Sequence, residues 1–441
     1  MVGMSGSATP SSNSPGATGV RRGADRVIRV LATALLALGL SAGASAAQGE
    51  SGAAAPDDAA TGAIRVYQRY ISDLRHARCR FTPSCSEYAA QSIARYGLID
   101  GSARAADRLM RCNASAAGAY PRGKDGTLSD PVGDDPPPAG VVWAPGWLRL
   151  PPEPDVPPVA DSLGRDHRVR LDETVAFARR LEQRGDRANA AVEYQRAGML
   201  AGRVEADAWA FDRIGAAAAR AGDALGAEAA YLTAAMLTQD EAHRARAVYR
   251  AATSRFDGGS FSACGRLLAD RTLVAFDSSS ARPEGWPSAA HVDALGGLAD
   301  MGLGNWDETR ARLTNALAAP ATDTTTRRRI GALTGFVEQG PRLPQRNSTL
   351  AGTMSALVPG SGQIYSGRVS DGIRHLLFNS VMILATISFA RGEHVPAAIL
   401  TGALELPFYT GNIRGAAASA RRFDRDRRLE LLGGAIEASA R

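Results

Sequence analysis

The chain has 441 residues, of which only 6% are aromatic and 22% are charged, and its formal net charge is +6. This length exceeds what one hydrophobic core supports, so we expect two or three domains. The shortage of aromatic residues and the abundance of Ala and Gly favour helices that pack through small side chains. The positive charge suits an anionic partner such as membrane lipid. Nucleic acid is disfavoured, because the Arg residues do not alternate with aromatic residues as in nucleic-acid-binding modules.

The first 47 residues have the three parts of a secretory signal. Basic residues between Arg21 and Arg29 precede an apolar run, and small residues surround Ala44 and Ala46. This order predicts a signal peptide cleaved near Ala46 or Ala47. An uncleaved N-terminal anchor is the alternative, for which the apolar run is short. Either way, we expect the bulk of the chain on the periplasmic side of a bacterial inner membrane.

Residues 62–132 form a predicted small three-helix module. Residues 64–74 have apolar positions at helical spacing with Arg65 and Arg69 between them, which predicts an amphipathic helix. Ser84 and Glu87 have the spacing of a capping box, so a second helix should begin at Cys85. Gly97 is a suitable C-terminal residue for it, and a third helix should run on to Cys112.

The run Cys-Arg-Phe-Thr-Pro-Ser-Cys from Cys79 to Cys85, with Tyr88 and Cys112 in register, resembles the YidD-like family of membrane protein insertion efficiency factors. The resemblance implies a non-enzymatic protein at the inner membrane, near the insertase or translocon. It implies membrane or partner contact through Arg65, Arg69, Arg78, Arg80 and Arg111, and a module core built on Phe81, Pro83 and Tyr88. The sequence departs from the family where Asn113-Ala114 replaces the usual His-Pro.

Three chemistries are open to Cys79, Cys85 and Cys112. Export would favour a disulfide between two of them, which is the preferred interpretation. A metal site lacks a recognised ligand spacing, with only His76 nearby, and buried thiols are the third option. The start of a helix should lower the pKa of Cys85. We predict no catalytic residue, no cofactor and no bound metal, because no catalytic constellation accompanies the cysteines.

Beyond the module, a proline-rich linker at 133–165 should be extended, and residues 166–338 should form helical repeats. The segment from Gly185 through Tyr194 to Ala197 recurs 37 residues later, with Tyr231 in the place of Tyr194. Gly-Asp turns followed by Ala and Tyr are similar to tetratricopeptide (TPR) repeats, so an α-solenoid with a surface for protein or peptide partners is predicted. An unspecialised Ala-rich bundle is the alternative.

Residues 349–415 should form a transmembrane helical hairpin, because apolar runs at 376–390 and 395–409 flank a short turn. The Pro359-Gly-Ser-Gly362 run predicts a tight entry into the membrane rather than a phosphate-binding loop. A basic tail occupies 416–441. Its Arg residues favour the cytoplasm, which conflicts with export unless residues 350–365 also span.

The sequence therefore predicts a mainly α-helical membrane-associated factor that aids insertion or assembly of envelope proteins. Anionic lipid, insertase or translocon components, and protein partners of the repeats are the expected partners. The alternative function is an envelope scaffold whose repeats bind peptides while the cysteine module is purely structural. No metalloprotease, nucleophile-elbow or nucleotide-binding motif indicates an enzyme.

Overall fold

The computed structural model describes residues 58–70, 79–113, 116, 120, 122, 126–133, 144–152, 154–270, 287–319 and 322–441. The predicted signal peptide and Arg78 lie outside these residues. The described part of the chain is mostly helical. It divides into two compact units: residues 1–134 with 345–423, and residues 135–344 with 424–441.

The first unit contains the cysteine module and a C-terminal segment (residues 345–423). Its elements are α1 (Asp58–Tyr70), β1 (Phe81–Thr82), α2 (Cys85–Arg111), β2 (Leu128–Ser129), α12 (Ser348–Leu357), α13 (Ser361–Tyr365), α14 (Val369–Arg391) and the first part of α15 (Val395–Ala440). β1 and β2 pair in parallel, with Phe81 opposite Leu128. Phe81, Ala116 and Leu128 form a small core at this pair.

The helix α2 folds back on itself at Gly97, which has a φ of 77° and a ψ of 172°. A residue with a side chain rarely adopts a positive φ, so glycine suits this break. The two halves then pack closely: a Cβ on Gly101 would lie 2.5 Å from the Cα of Ile93. The predicted pair of helices separated at Gly97 is confirmed.

A buried polar network holds the start of the C-terminal segment. The Gln363 side chain accepts a hydrogen bond from Ser355 Oγ at 2.8 Å and donates to the Asn412 carbonyl at 2.9 Å. The Asn412 side chain accepts from the Gly360 amide at 2.9 Å. Gly360 has a φ of 85°. The Pro-Gly-Ser-Gly run is therefore a tight turn in which side chains satisfy the amides of both glycines, Gly360 and Gly362.

Within the described residues, α14 is the one helix long and apolar enough to cross a membrane. Helix α15 packs along it, since Phe378 and Phe408 have ring centroids 4.6 Å apart and the Thr386 hydroxyl donates to Thr401 at 3.0 Å. The apolar run at 395–409 opens this much longer helix. A second span therefore stays a prediction. Helices α12 and α13 have 10 and 5 residues, too few for the third span.

The second unit is a succession of helices in which each packs on the next. They are α3 (Arg165–Gln183), α4 (Arg187–Ala201), α5 (Val204–Arg220), α6 (Ala224–Leu237), α7 (Glu241–Asp257), α8 (Phe261–Leu268), α9 (Ala289–Leu303), α10 (Trp306–Ala318) and α11 (Thr324–Val337). The last part of α15 joins this unit.

The sequence repeat is also a structural one at several positions. Asp186 and Asp223 cap α4 and α6 by accepting backbone N–H groups, each after a glycine with positive φ. Tyr194 and Tyr231 are both buried between helices. The classification of these helices as TPR-like stays a prediction. Cys264 is fully buried in the core of this unit.

Part of the proline-rich linker packs against this unit. A short 3₁₀ turn at Gly146–Leu148 buries Leu148 completely, and the Tyr249 hydroxyl donates to the Leu148 carbonyl at 2.8 Å. Trp147 Nε1 donates to Ser439 Oγ at 3.2 Å. Trp147 therefore contacts the neighbouring helices rather than extending free.

Candidate functional site

Helix α1 presents a mixed apolar and basic surface. Arg65 and Arg69 are exposed, and so are the apolar side chains of Val66 and Tyr70, at 56% and 65%. Such an amphipathic surface is typical of a helix at a lipid interface. Arg80 is also exposed, at the start of β1.

The predicted capping box of α2 is half formed. Ser84 Oγ accepts a hydrogen bond from the Glu87 amide at 3.3 Å, as predicted. The Glu87 carboxylate does not accept a hydrogen bond from the Ser84 amide, which is the second half of a capping box. It accepts instead from Gln68 at 3.2 Å and Gln91 at 2.9 Å, so it joins α1 to α2.

The centre of the module is a buried ion-pair cluster, formed by Arg108, Arg111, Asp107, Asp130 and Tyr120. Arg108 is fully buried, and its Nε donates to Asp130 Oδ2 at 2.6 Å. Arg111 donates to Asp107 Oδ2 and to Asp130 Oδ2, both at 2.8 Å, and also to the Tyr120 hydroxyl. Arg111 is only 4% exposed, so the predicted membrane or partner contact is wrong for this residue. Its positive charge is paired with Asp107 and Asp130 inside the module.

Aromatic rings surround the Arg108 guanidinium. It lies 3.8 Å from the centroid of the Phe81 ring and 4.9 Å from that of Tyr88. Arg108 Nη2 also donates to the Pro83 carbonyl at 3.3 Å. Phe81 and Tyr88 are buried, which confirms their place in the core, while Pro83 is half-buried and contributes its carbonyl. The aromatic and proline residues of the motif therefore enclose a cation.

The cluster keeps its carboxylates ionised. Burial alone would raise the pKa of Asp107, but Arg111, His375 and Arg422 together outweigh burial and hold that pKa well below its ordinary value. Burial likewise opposes ionisation of Asp130, and Arg111, Arg422 and Arg108 together lower its pKa. The cluster is therefore a charged network at neutral pH.

The C-terminal segment packs directly against this cluster. Gly411 and Gly415, one turn apart on α15, face α2: a Cβ on Gly411 would lie 2.5 Å from the Ala103 carbonyl, and one on Gly415 would overlap the Asp107 carboxylate. This G-x-x-x-G spacing allows two helix backbones to approach closely. Side chains larger than hydrogen would separate the module from the segment.

Charge complementarity accompanies this close approach. Three aspartates of the module each face a basic residue of the segment: Asp100 faces Arg414, Asp107 faces His375 at 3.6 Å, and Asp130 faces Arg422 at 3.8 Å. Arg422 also donates to the Tyr120 hydroxyl at 2.8 Å, and Arg368 lies 5.3 Å from the centroid of that ring. The ion-pair cluster thus extends into the C-terminal segment.

The three cysteines of the module converge beside Arg108. The Sγ of Cys79 lies 3.4 Å from that of Cys85 and 3.8 Å from that of Cys112, and all three are free thiols. The disulfide between two of them stays a prediction. The pKa of Cys85 is raised, not lowered as predicted, first because its thiol donates to Cys79. The same hydrogen bond lowers the pKa of Cys79 to about 5.

Sequence analysis missed much of this site. It assigned no role to Arg108, Asp107, Tyr120 or Asp130. Two signals were readable: Asp107 and Arg111 have the i,i+4 spacing of a helical ion pair, and Gly411 and Gly415 have that of a close helix contact. Neither spacing indicates that the C-terminal segment packs against the module.

Comparison with known proteins gives a family for the module. The sequence profile of the YidD family, described as "Putative membrane protein insertion efficiency factor", matches residues 56–122. Relatives with the same description include proteins of Thermosynechococcus vestitus, 47% identical over 75 residues (17% of this chain and 82% of the relative), and Moorella thermoacetica, 52% identical over 58 residues (13% and 83%). A third, from Syntrophotalea carbinolica, is 53% identical over 57 residues (13% and 83%). No solved structure matches the chain.

We predict that Asp130→Asn destabilises the first unit by about 3–5 kcal/mol, because two buried guanidinium groups lose their shared counter-ion. Thermal unfolding of the full chain in detergent measures this. Asp307→Asn is the matched control, since it removes an exposed ion pair with Arg310 and should leave the melting temperature unchanged. Equal melting of the two variants would contradict the role of the cluster.

The same carboxylates predict the pH dependence. Their pKa values are lowered on folding, so the stabilisation is complete above the unfolded-state pKa of about 3.9 and is lost as pH falls through the folded-state values. The melting temperature of the unmodified chain should fall steeply below about pH 4, and that of Asp130→Asn less steeply.

We also predict that Gly415→Leu separates α15 from α2, at a cost of about 1–3 kcal/mol or more. Limited proteolysis and amide exchange of residues 100–111 in the full chain measure the loss of contact. Gly433→Leu, where a Cβ meets nothing within 4 Å on the same helix, is the control. Unchanged protection of residues 100–111 in Gly415→Leu would show that the contact is dispensable.

Proposed function

The chain belongs, through residues 56–122, to the YidD family of membrane protein insertion efficiency factors, and from this premise we propose that it aids insertion of membrane proteins without catalysing a reaction. In this chain the module contains the ion-pair cluster and the aromatic rings described above. The matched region covers 82% of the Thermosynechococcus vestitus relative but only 17% of this chain. The remaining segments would add membrane attachment and partner binding to the same activity.

The observation that carries the proposal is the packing of the module onto a membrane-type helix of its own chain. His375 of α14 and Arg368, the residue before this helix, contact the module. The apolar remainder of α14 is mostly outward-facing, with Leu377, Val381 and Leu384 exposed. Exposed apolar residues at helical spacing suit contact with lipid. The module would therefore be held at the membrane surface by α14, with α15 as the second half of a hairpin.

Helix α1 would add a second contact with the bilayer through its apolar and basic side chains. Arg65 and Arg69 would bind anionic headgroups while Val66 and Tyr70 enter the interface. The helices of the second unit would recruit client or partner proteins, as solenoid surfaces do. The scaffold alternative is disfavoured, because the relatives of the module are named for insertion and not for a structural role.

We predict that α1 is protected by anionic lipid. In proteoliposomes of the full chain, amide exchange over residues 58–70 should be slower with anionic than with neutral lipid, and Arg65→Glu with Arg69→Glu should remove this difference. Replacing the exposed Arg327 and Arg328 of α11 by Glu changes the net charge equally and is the control. Identical exchange in both lipids would count against the lipid contact.

The function itself is tested in the cell that makes the protein. Deletion of the gene should slow the pulse-chase appearance of newly made membrane proteins in the protease-protected, membrane-inserted form. The full chain and Gly433→Leu should restore the rate, whereas Gly415→Leu, made in equal amount, should restore it poorly because the module is released from α15. An unchanged insertion rate after deletion would refute the proposed function.

Equal rescue by both glycine variants would have a narrower consequence. It would leave the insertion role intact and remove the packing of the module on its own chain from the mechanism. Expression levels and membrane fractionation of each variant, measured in the same cells, separate loss of function from loss of protein.

A further inference from the structure

The three cysteines of the module meet because of the fold of α2. Cys85 begins this helix and Cys112 follows its last residue, so in a straight helix they would lie about 40 Å apart. The break at Gly97 brings the two ends together, and β1 carries Cys79 to the same place. All three Sγ atoms lie within 4.8 Å of one another.

We propose that Cys79, Cys85 and Cys112 bind one Zn²⁺ ion as thiolates. Zinc–sulfur bonds of about 2.3 Å at tetrahedral angles place neighbouring sulfurs about 3.8 Å apart. The observed separations of 3.4 and 3.8 Å from Cys79 match that edge length. A disulfide would join two sulfurs at about 2.05 Å and leave the third without a partner, whereas a metal ion uses all three.

Two groups beside the cysteines would stabilise negative charge on sulfur. The Cys85 amide, at the start of α2, donates to Cys79 Sγ at 3.2 Å, and Arg108 Nη1 lies 3.7 Å from Cys85 Sγ. Three thiolates and one Zn²⁺ carry a net charge of −1, which the neighbouring guanidinium complements. Binding releases one proton for each thiol that is still protonated. No redox step is involved.

The site has three protein ligands among the described residues. No fourth His, Cys, Asp or Glu among those residues joins the group, and His76 lies outside them. The ion would join both ends of α2 to Cys79, two residues before β1, closing the module around Phe81 and Arg108. The assignment is independent of the role in insertion and concerns the stability of the module.

The experiment uses the full chain, purified from membranes in detergent with a non-thiol reductant and without chelator. Metal analysis should find about one zinc per chain. After chelation, Co²⁺ alone should give the visible bands of a tetrahedral thiolate site and the near-ultraviolet sulfur-to-cobalt band, and added Zn²⁺ should abolish both. Zinc removal should lower the melting temperature of the chain.

Cys79→Ser, Cys85→Ser and Cys112→Ser should each reduce bound zinc severalfold, while Cys264→Ser, which alters the cysteine buried in the second unit, should retain it. Because the cobalt spectrum is recorded on the unmodified chain, it tests the site without depending on a variant that could misfold. Three freely alkylated thiols without zinc would overturn the assignment. So would a mass two hydrogens lower with two of the three cysteines protected from alkylation, in protein purified without reductant, which is the disulfide result.

Discussion

The pairing of Asp130 with Arg108 and Arg111 is the interaction on which the first unit depends. Two guanidinium groups share one buried carboxylate, and removal of their hydration is offset only if the geometry satisfies every charge. The second carboxylate, Asp107, and the Tyr120 hydroxyl complete that geometry. The cluster joins the two ends of the module, because Asp130 follows β2 while both arginines lie on α2.

The same cluster explains why aromatic and proline residues occupy the segment between Cys79 and Tyr88. Phe81 and Tyr88 provide ring faces for Arg108, and a ring face attracts a desolvated cation. Pro83 offers a carbonyl in place of water. The three thiols lie at the edge of this arrangement, where the Arg108 guanidinium also reaches Cys85. Core packing, charge neutralisation and sulfur chemistry are therefore coupled through one side chain.

The C-terminal segment extends the network outward. Gly411 and Gly415 allow α15 to approach α2 at backbone distance, and Arg422 then reaches Tyr120 and Asp130. The close approach requires glycine at these two positions, and the ion pairs require the close approach. The helix contact and the ion pairs therefore stabilise one another. The C-terminal segment of the same chain therefore supplies the basic residues that pair with the aspartates of the module.

The sequence alone determined the local features: the helices on either side of Gly97, the Ser84 cap, the buried Phe81 and Tyr88, and a membrane-type helix over the apolar run at 376–390. These depend on residues close together in the chain, whose propensities and periodicity act locally. Only the tertiary structure decided that Arg111 is buried, that Glu87 bonds to Gln68, and that Asp130 lies beside α2. These outcomes depend on contacts between residues distant in sequence, and a single sequence carries no signal for which distant charges will meet.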